Sequence, residues 1–231
     1  KGILVVIGRE GDDYIKSSGA RIGIADIRRH MSNILAGLYS LGGASAVVII
    51  EDLIAFDDIF AGYSHEGVPD IRIVVFRGYP VMAMLRLATH ASDGKANLHQ
   101  GAVGVGLALD NGRCLHAVQF GRPVAVHPDT GLTLSEIRVP VWREMLVLAA
   151  KCHDMTGLGY IGTDLVLDKH LGPQLLELNA RPGLAIQIAN GRGLLPRLRH
   201  TEKLPDSRQW PADQRVDYVM RHFRDSDEPV S

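Results

Sequence analysis

Apolar residues recur along this chain with two periods, and the switches between them mark out its elements. Residues 3–7, ILVVI, and 46–50, AVVII, are unbroken apolar runs of the kind that predict buried strands. Between them, residues 8–19 read as a charged loop or hairpin. Residues 24–40 read as an amphipathic helix with Ile24, Ile27, Met31, Ile34, Leu35 and Leu38 on one stripe. Asp26 sits in its first turn, where negative charge suits the helix dipole, and Leu41-Gly42-Gly43 reads as its stop. After an acidic, glycine-containing loop at 57–67, the period becomes two. Candidate strands at 71–76, 81–87, 102–109 and 114–120 predict an antiparallel meander. Arg77-Gly78-Tyr79-Pro80 and Asp110-Asn111-Gly112 supply turn chemistry, the second an Asn-Gly hairpin signal. The polar connection at 89–101, THASDGKANLHQG, has the length of a functional or mobile loop.

Pro140 reads as the first residue of the longest helix, which runs through Thr156 to Gly157. Its expected buried face is Val141, Trp142, Met145, Leu148, Ala149 and Cys152. Two more strands, 160–168 and 174–178, flank a four-residue loop, Lys169-His170-Leu171-Gly172. A short apolar segment at 184–189, a basic helix at 193–200 and a polar tail with a short helix near 213–223 complete the chain. The tail, with three prolines, reads as loosely docked. The overall class is α+β.

The strand pair at 160–178 carries the first chemistry. If Asp168 pairs with Pro173, Asp164 lies opposite Glu177, where two like charges about 4.5–5.5 Å apart repel. Asn179 falls on the same face because strand side chains repeat every second residue. Such an all-oxygen set, Asp164, Glu177 and Asn179, suits Mg2+ or Mn2+. The same residues also allow a plainer arrangement, with one carboxylate in solvent and Asn179 merely opening the turn at Ala180-Arg181-Pro182-Gly183.

Composition narrows the partners. A net charge of -1 from 25 basic and 26 acidic residues gives no bulk argument for nucleic acid. Two cysteines, Cys114 and Cys152, form neither a disulfide framework nor a zinc site, so a reducing, cytoplasmic setting is the default expectation. No apolar run approaches the roughly 18 residues of a membrane span. GAVGVG, residues 101–106, sits in a strand pattern with no helix after it, which argues against a dinucleotide fingerprint.

Five motifs in order, VVIIEDLI, PDIRIVV, GKANLHQGA, TDLVL and LLELNARPG, resemble those of ATP-grasp carboxylate–amine ligases over residues 1–193. The nearest likeness is to the alpha-L-glutamate-ligase-like branch, related to the ligase that adds glutamates to a ribosomal protein. The resemblance implies an ATP-grasp fold, in which two α+β subdomains clasp a nucleotide. Residues 1–50 would be a remnant of the smaller subdomain, 51–200 the larger one, and 201–231 a C-terminal polar tail. Lys1-Gly2 would be the end of a glycine-rich phosphate loop whose upstream part is missing, which predicts impaired catalysis. Glu51, Asp52 and Leu53 would meet adenine. Asp70 would contact the nucleotide, and Lys95, Ala96 and Asn97 the phosphates. Asp164, Glu177 and Asn179 fall on the magnesium-ligand positions. Arg72 and Arg86 would hold phosphate or substrate carboxylate, and Arg181 an acyl phosphate, although the family's glutamate-adding relatives carry a small residue there. His99 is expected to cap its loop. The implied reaction joins a carboxylate and an amine, glutamate or another amino acid or a peptide terminus among them, at the expense of ATP with Mg2+ or Mn2+. The competing reading is a non-catalytic nucleotide-binding module of the same fold.

Overall fold

A computed structural model describes residues 2–16, 18–40, 44, 46–64 and 67–225. Lys1 and the predicted helix stop at 41–43 lie outside the described residues. The chain separates into two compact units, Lys1–Ile54 and Ala55–Ser231.

The first unit has a three-stranded antiparallel sheet, β1 (Val6–Glu10), β2 (Asp13–Lys16) and β3 (Arg21–Ile22), in that order. Helix α1 (Ile24–Leu35) follows, its start held by the Asp26 carboxylate accepting from the Gly23 N–H at 3.1 Å. The two apolar runs do not become buried strands here. Ile3, Val5 and Ile7 are 84%, 40% and 53% exposed, and β1 begins only at Val6. Residues 46–50 belong to no helix or strand, and Val47, Ile49 and Ile50 are at least 75% exposed. An unbroken apolar run is buried only where both of its faces are covered, and this small sheet has no further strand beside it among the described residues. Helix α1 likewise stops five residues short of Ser40, with Ile27, Met31 and Ile34 only half-buried.

The second unit is built on a seven-stranded sheet in the order β10-β9-β4-β5-β6-β7-β8, every neighbouring pair antiparallel. Its strands are β4 (Asp70–Phe76), β5 (Tyr79–Leu87), β6 (Val103–Leu107), β7 (Cys114–Gln119), β8 (Arg122–Pro123), β9 (Tyr160–Asp168) and β10 (Gly172–Asn179). The predicted meander is thus present, with β9 inserted beside β4 after a long excursion through helix α2 (Trp142–Thr156). The β4–β5 turn is tighter than expected. Arg77 and Gly78 both have positive φ, 51° and 85°, as a two-residue turn requires, so β5 starts at Tyr79. A side chain at Gly78 would have to displace Arg215, since a Cβ there would lie 1.8 Å from Arg215 Nη1.

Helix α2 packs against β4, β5, β9 and β10, burying Trp142, Met145, Leu146, Ala149, Ala150 and Cys152. Pro140 precedes the helix instead of opening it. Val141 adopts φ 44° at the N-cap and is 44% exposed, so it leaves the expected buried face. Helices α3 (Ala185–Asn190), α4 (Leu195–Thr201) and α5 (Ala212–His222) follow. Docking of α5 is firmer than its polar composition suggests, because Ala212, Val216, Val219 and Phe223 join the main core. No helix among the described residues is long and apolar enough to cross a membrane.

Candidate functional site

Period-two alternation puts Asp70 and Arg72 on one face of β4, and sheet register gives each an oppositely charged neighbour. Arg86 of β5 lies opposite Asp70, Asp164 of β9 lies opposite Arg72, and Glu177 of β10 lies opposite Asp164. A row of charge therefore crosses four adjacent strands, alternating in sign from β5 to β9 and ending on two facing carboxylates. The last pair arises from a different register than the sequence suggests. Asp168 pairs with Gly172, one residue off the expected Pro173, and an irregularity between Leu175 and Glu177 takes Leu176 out of the ladder. Glu177 returns opposite Asp164 because the bulge cancels the shift. Asn179 then faces Gly162, where a Cβ would come within 2.6 Å of Pro182, so the missing side chain lets the turn after β10 fold over the strand.

Side-chain bonds tie the row together. Arg72 donates to both oxygens of Asp164, Nε at 2.7 Å and Nη2 at 2.5 Å. Arg86 is bidentate to Asp70, with Nε at 2.7 Å, and its Nη2 also lies 3.0 Å from Asp164 Oδ2. Asn179 Nδ2 donates to the same oxygen at 3.3 Å. The four charged side chains are nearly enclosed: Arg72 is 14%, Arg86 13%, Asp70 9% and Asp164 6% exposed. Burial pushes the Asp70 carboxyl up to about 6, outweighing the opposing pull of Arg86. Arg86 in turn is held above its ordinary value: burial works against its charge, but the bonds to Asp70 and the nearby Asp164 more than offset it. Glu177 is exposed and has no hydrogen-bond or ion-pair partner among the described residues.

Glycine sets what lies beside this row. Gly104 of β6 pairs with Arg86, and a Cβ on it would fall 2.8 Å from Leu98 and 3.3 Å from Ala189. Gly106 is pressed by the Ala189 carbonyl, at 2.5 Å from where its Cβ would be. The GAVGVG stretch is thus a close-packing strand on which α3 and the 89–101 loop rest. That loop is pinned at its root, Thr89 Oγ1 donating to the Gly101 carbonyl at 2.9 Å and the Asp129 carboxylate accepting from the His90 N–H at 2.8 Å. At its tip Lys95 is exposed and pairs with Asp93 at 2.9 Å, and Ala96 is half-buried. Asn97, and not His99, provides the cap, its Oδ1 accepting from the His99 N–H at 3.0 Å.

The bonds that tie the row together include none of the other candidates. Arg181 is exposed in the turn after β10. Glu51, Asp52 and Leu53 are exposed, in no helix or strand, at the end of the first unit. The chain just beyond them is fastened to the β9–β10 hairpin: the Asp168 carboxylate accepts from the Ala55 N–H at 2.9 Å, and the Ala55 carbonyl from the Lys169 N–H at 2.6 Å. Asp168 also accepts from the backbone of His170 and Leu171, and these bonds hold its carboxyl below the usual range. Sequence reasoning passed over Asp168, although an Asp two residues before a turn amide is a recognisable turn-forming signal.

The profile of the sugar-transfer associated ATP-grasp family matches residues 1–203. The chain belongs to this family. Among curated proteins, none matches it. ATP-grasp proteins bind ATP and a divalent metal, and the fold goes with ATP-dependent, ligase-type activity. The donor chemistry of the row fits such a metal in kind: Asp164, Glu177 and Asn179 offer hard oxygens on neighbouring strands. Among the described residues, however, no three His, Cys, Asp or Glu side chains gather closely enough to hold an ion by themselves. Mg2+ is commonly held by one or two carboxylates with the remaining positions filled by phosphate and water, and that is the arrangement this ATP-grasp chain can offer.

Proposed function

We propose that the chain is an ATP- and Mg2+-dependent carboxylate–amine ligase that forms an amide or peptide bond through an acyl phosphate. The observation that carries the reading is the charged row Asp70, Arg86, Arg72, Asp164 and Glu177 in a chain of the ATP-grasp family. In this reading a substrate carboxylate oxygen attacks the γ-phosphorus and ADP leaves. The amine then attacks the acyl carbon, and phosphate leaves with the oxygen it received. Such transfer depends on positioning and on neutralising charge more than on covalent help. Arg72 and Arg86 are suited to it, since a guanidinium fork matches phosphate and carboxylate bidentately. Mg2+, held by Asp164, Glu177 and Asn179, would supply charge neutralisation at the phosphates.

The remaining assignments complete this proposal. Glu51, Asp52 and Leu53 present backbone groups to adenine, and Lys95, Ala96 and Asn97 cover the phosphates. Arg181 steadies the acyl phosphate. The family's association with sugar transfer makes a sugar-bearing acid or amine the first substrate class to screen, with glutamate and peptide termini next.

Acyl-phosphate chemistry has a direct test. Hydroxylamine should trap an acid-dependent hydroxamate, and an 18O-labelled carboxylate should deliver its label to phosphate. ADP release that ignores every acid offered, with no label transfer, would refute the ligase reading. Nucleotide binding without such turnover would favour a non-catalytic module, which the contacts Asp164 already makes with Arg72, Arg86 and Asn179 also accommodate.

A further inference from the structure

Asp164 is approached by four nitrogen atoms: Arg72 Nε on Oδ1 at 2.7 Å, and on Oδ2 Arg72 Nη2 at 2.5 Å, Arg86 Nη2 at 3.0 Å and Asn179 Nδ2 at 3.3 Å. A carboxylate offers about two lone-pair directions on each oxygen, so Oδ2, with three donors, is saturated, while Oδ1 keeps one direction beside the Arg72 guanidinium. A dication can reach Oδ2 only by displacing a donor, and at Oδ1 it meets the positive charge of Arg72. Charge gives the same result. Asp70 and Asp164 are balanced by Arg86 and Arg72, leaving Glu177 as the carboxylate of the row with no ion-pair partner among the described residues. A single exposed carboxylate and a neighbouring amide make a weak site for a cation arriving alone.

We infer that Arg72 and Arg86 are internal counter-cations that occupy Asp164 until nucleotide phosphates draw them away, so that the divalent cation enters with the nucleotide and not before it. The inference rests on the nucleotide-and-metal reading proposed above. Parting a nearly enclosed guanidinium from its carboxylate with nothing in exchange is costly, because each would be left as an uncompensated buried charge. A phosphate group removes that cost by giving the guanidinium an anionic, bidentate partner, while the incoming dication takes over Asp164. Both exchanges preserve the number of charged contacts. The bonds described for Arg72 and Arg86 go to carboxylate side chains alone, so their stems can swing without breaking the strand ladder.

The test measures cation uptake without nucleotide, by the loss of the free Mn2+ electron-spin-resonance signal, in the wild type, Arg72→Met and Arg86→Met. Thermal melting first establishes that each variant is folded. The wild type should bind Mn2+ weakly, and Arg72→Met roughly tenfold more tightly. Equal affinity in the wild type and both variants would overturn the inference. A second readout needs no variant to fold well. In the wild type, the 15N resonance of Arg72 Nε should stay in place when Mg2+ alone is added and move when ADP is added with Mg2+. Movement with Mg2+ alone would overturn the exchange even if ADP binds normally. Failure of the underlying nucleotide reading looks different: calorimetry would show no ADP binding with or without Mg2+, and both ideas would fall together.

Discussion

The second unit holds two sets of buried charge, and they are wired differently. In one, Arg215 is fully buried and donates to the Gly78 carbonyl at 2.8 Å as well as to Asp154. Nearby, Arg197 donates to the carbonyls of Val81 and Phe223 and to Asp225, which also takes Arg192 and the Leu109 N–H. Arg215 and Arg197 each donate to at least one backbone carbonyl, so they weld α4, α5 and the residues beyond α5 to the sheet. In the other set, Arg72 and Arg86 bond only to the carboxylates of Asp70 and Asp164. Burial is similar, yet one network can exchange partners without unmaking main-chain structure and the other cannot. The choice of acceptor, carbonyl or carboxylate, separates a rivet from a switchable contact.

The strongest way to break this contrast is to attack the welded set. Arg215→Met should lower unfolding stability by about 2–4 kcal/mol, because the buried Gly78 carbonyl loses its donor and the half-exposed Asp154 its partner, as measured by denaturant titration. Gly78→Ala should approach the same loss, because its methyl would displace Arg215 and strain a residue at φ 85°. Neither change should alter nucleotide affinity in the fraction that remains folded. Arg86→Met should cost less, about 1–3 kcal/mol, since Asp70 can take a proton in place of its lost partner. Nucleotide affinity in that variant should nonetheless fall by more than its stability does.

Asp70 sharpens the comparison through pH. Its carboxyl is raised to about 6 in the folded chain, against roughly 4 in the unfolded one. The folded state therefore holds more protons between these values. Its contribution to stability is full below pH 4 and is lost as the pH rises through 6. Asp70→Asn should flatten that part of the stability–pH curve. Lys95→Ala makes the smallest change: the side chain is exposed, so stability should move by no more than about 0.5 kcal/mol, with any loss confined to nucleotide affinity by calorimetry.

How much of this was legible depends on the range over which each feature is encoded. The meander strands and the β9–β10 hairpin follow from alternation and turn residues within a few positions of one another. The row of opposite charges needs β4 to lie between β5 and β9, and the pairing of Arg72 with Asp164 spans 92 positions. Nothing local announces it. The facing of Asp164 and Glu177 was foreseen from a register one residue wrong, which the bulge at Leu176 makes good. The run at 3–7 was misread because pattern reports what a segment is able to bury, while exposure depends on what arrives to cover it. Ile71 and Ile73 have α2 above their sheet and are fully buried; Ile3 and Ile7 stay open.

The Leu176 bulge has a second effect. Strand β10 is the rim of the seven-stranded sheet, and an intact rim is a template on which a strand from another molecule can assemble. Leu175 and Leu176 are 36% and 48% exposed there, which would make a smooth rim adhesive. An extra residue interrupts the spacing of its free N–H and C=O groups, so a visiting strand meets a broken template at that point. One inserted leucine thus both sets Glu177 across from Asp164 and guards the sheet against growing beyond a single molecule.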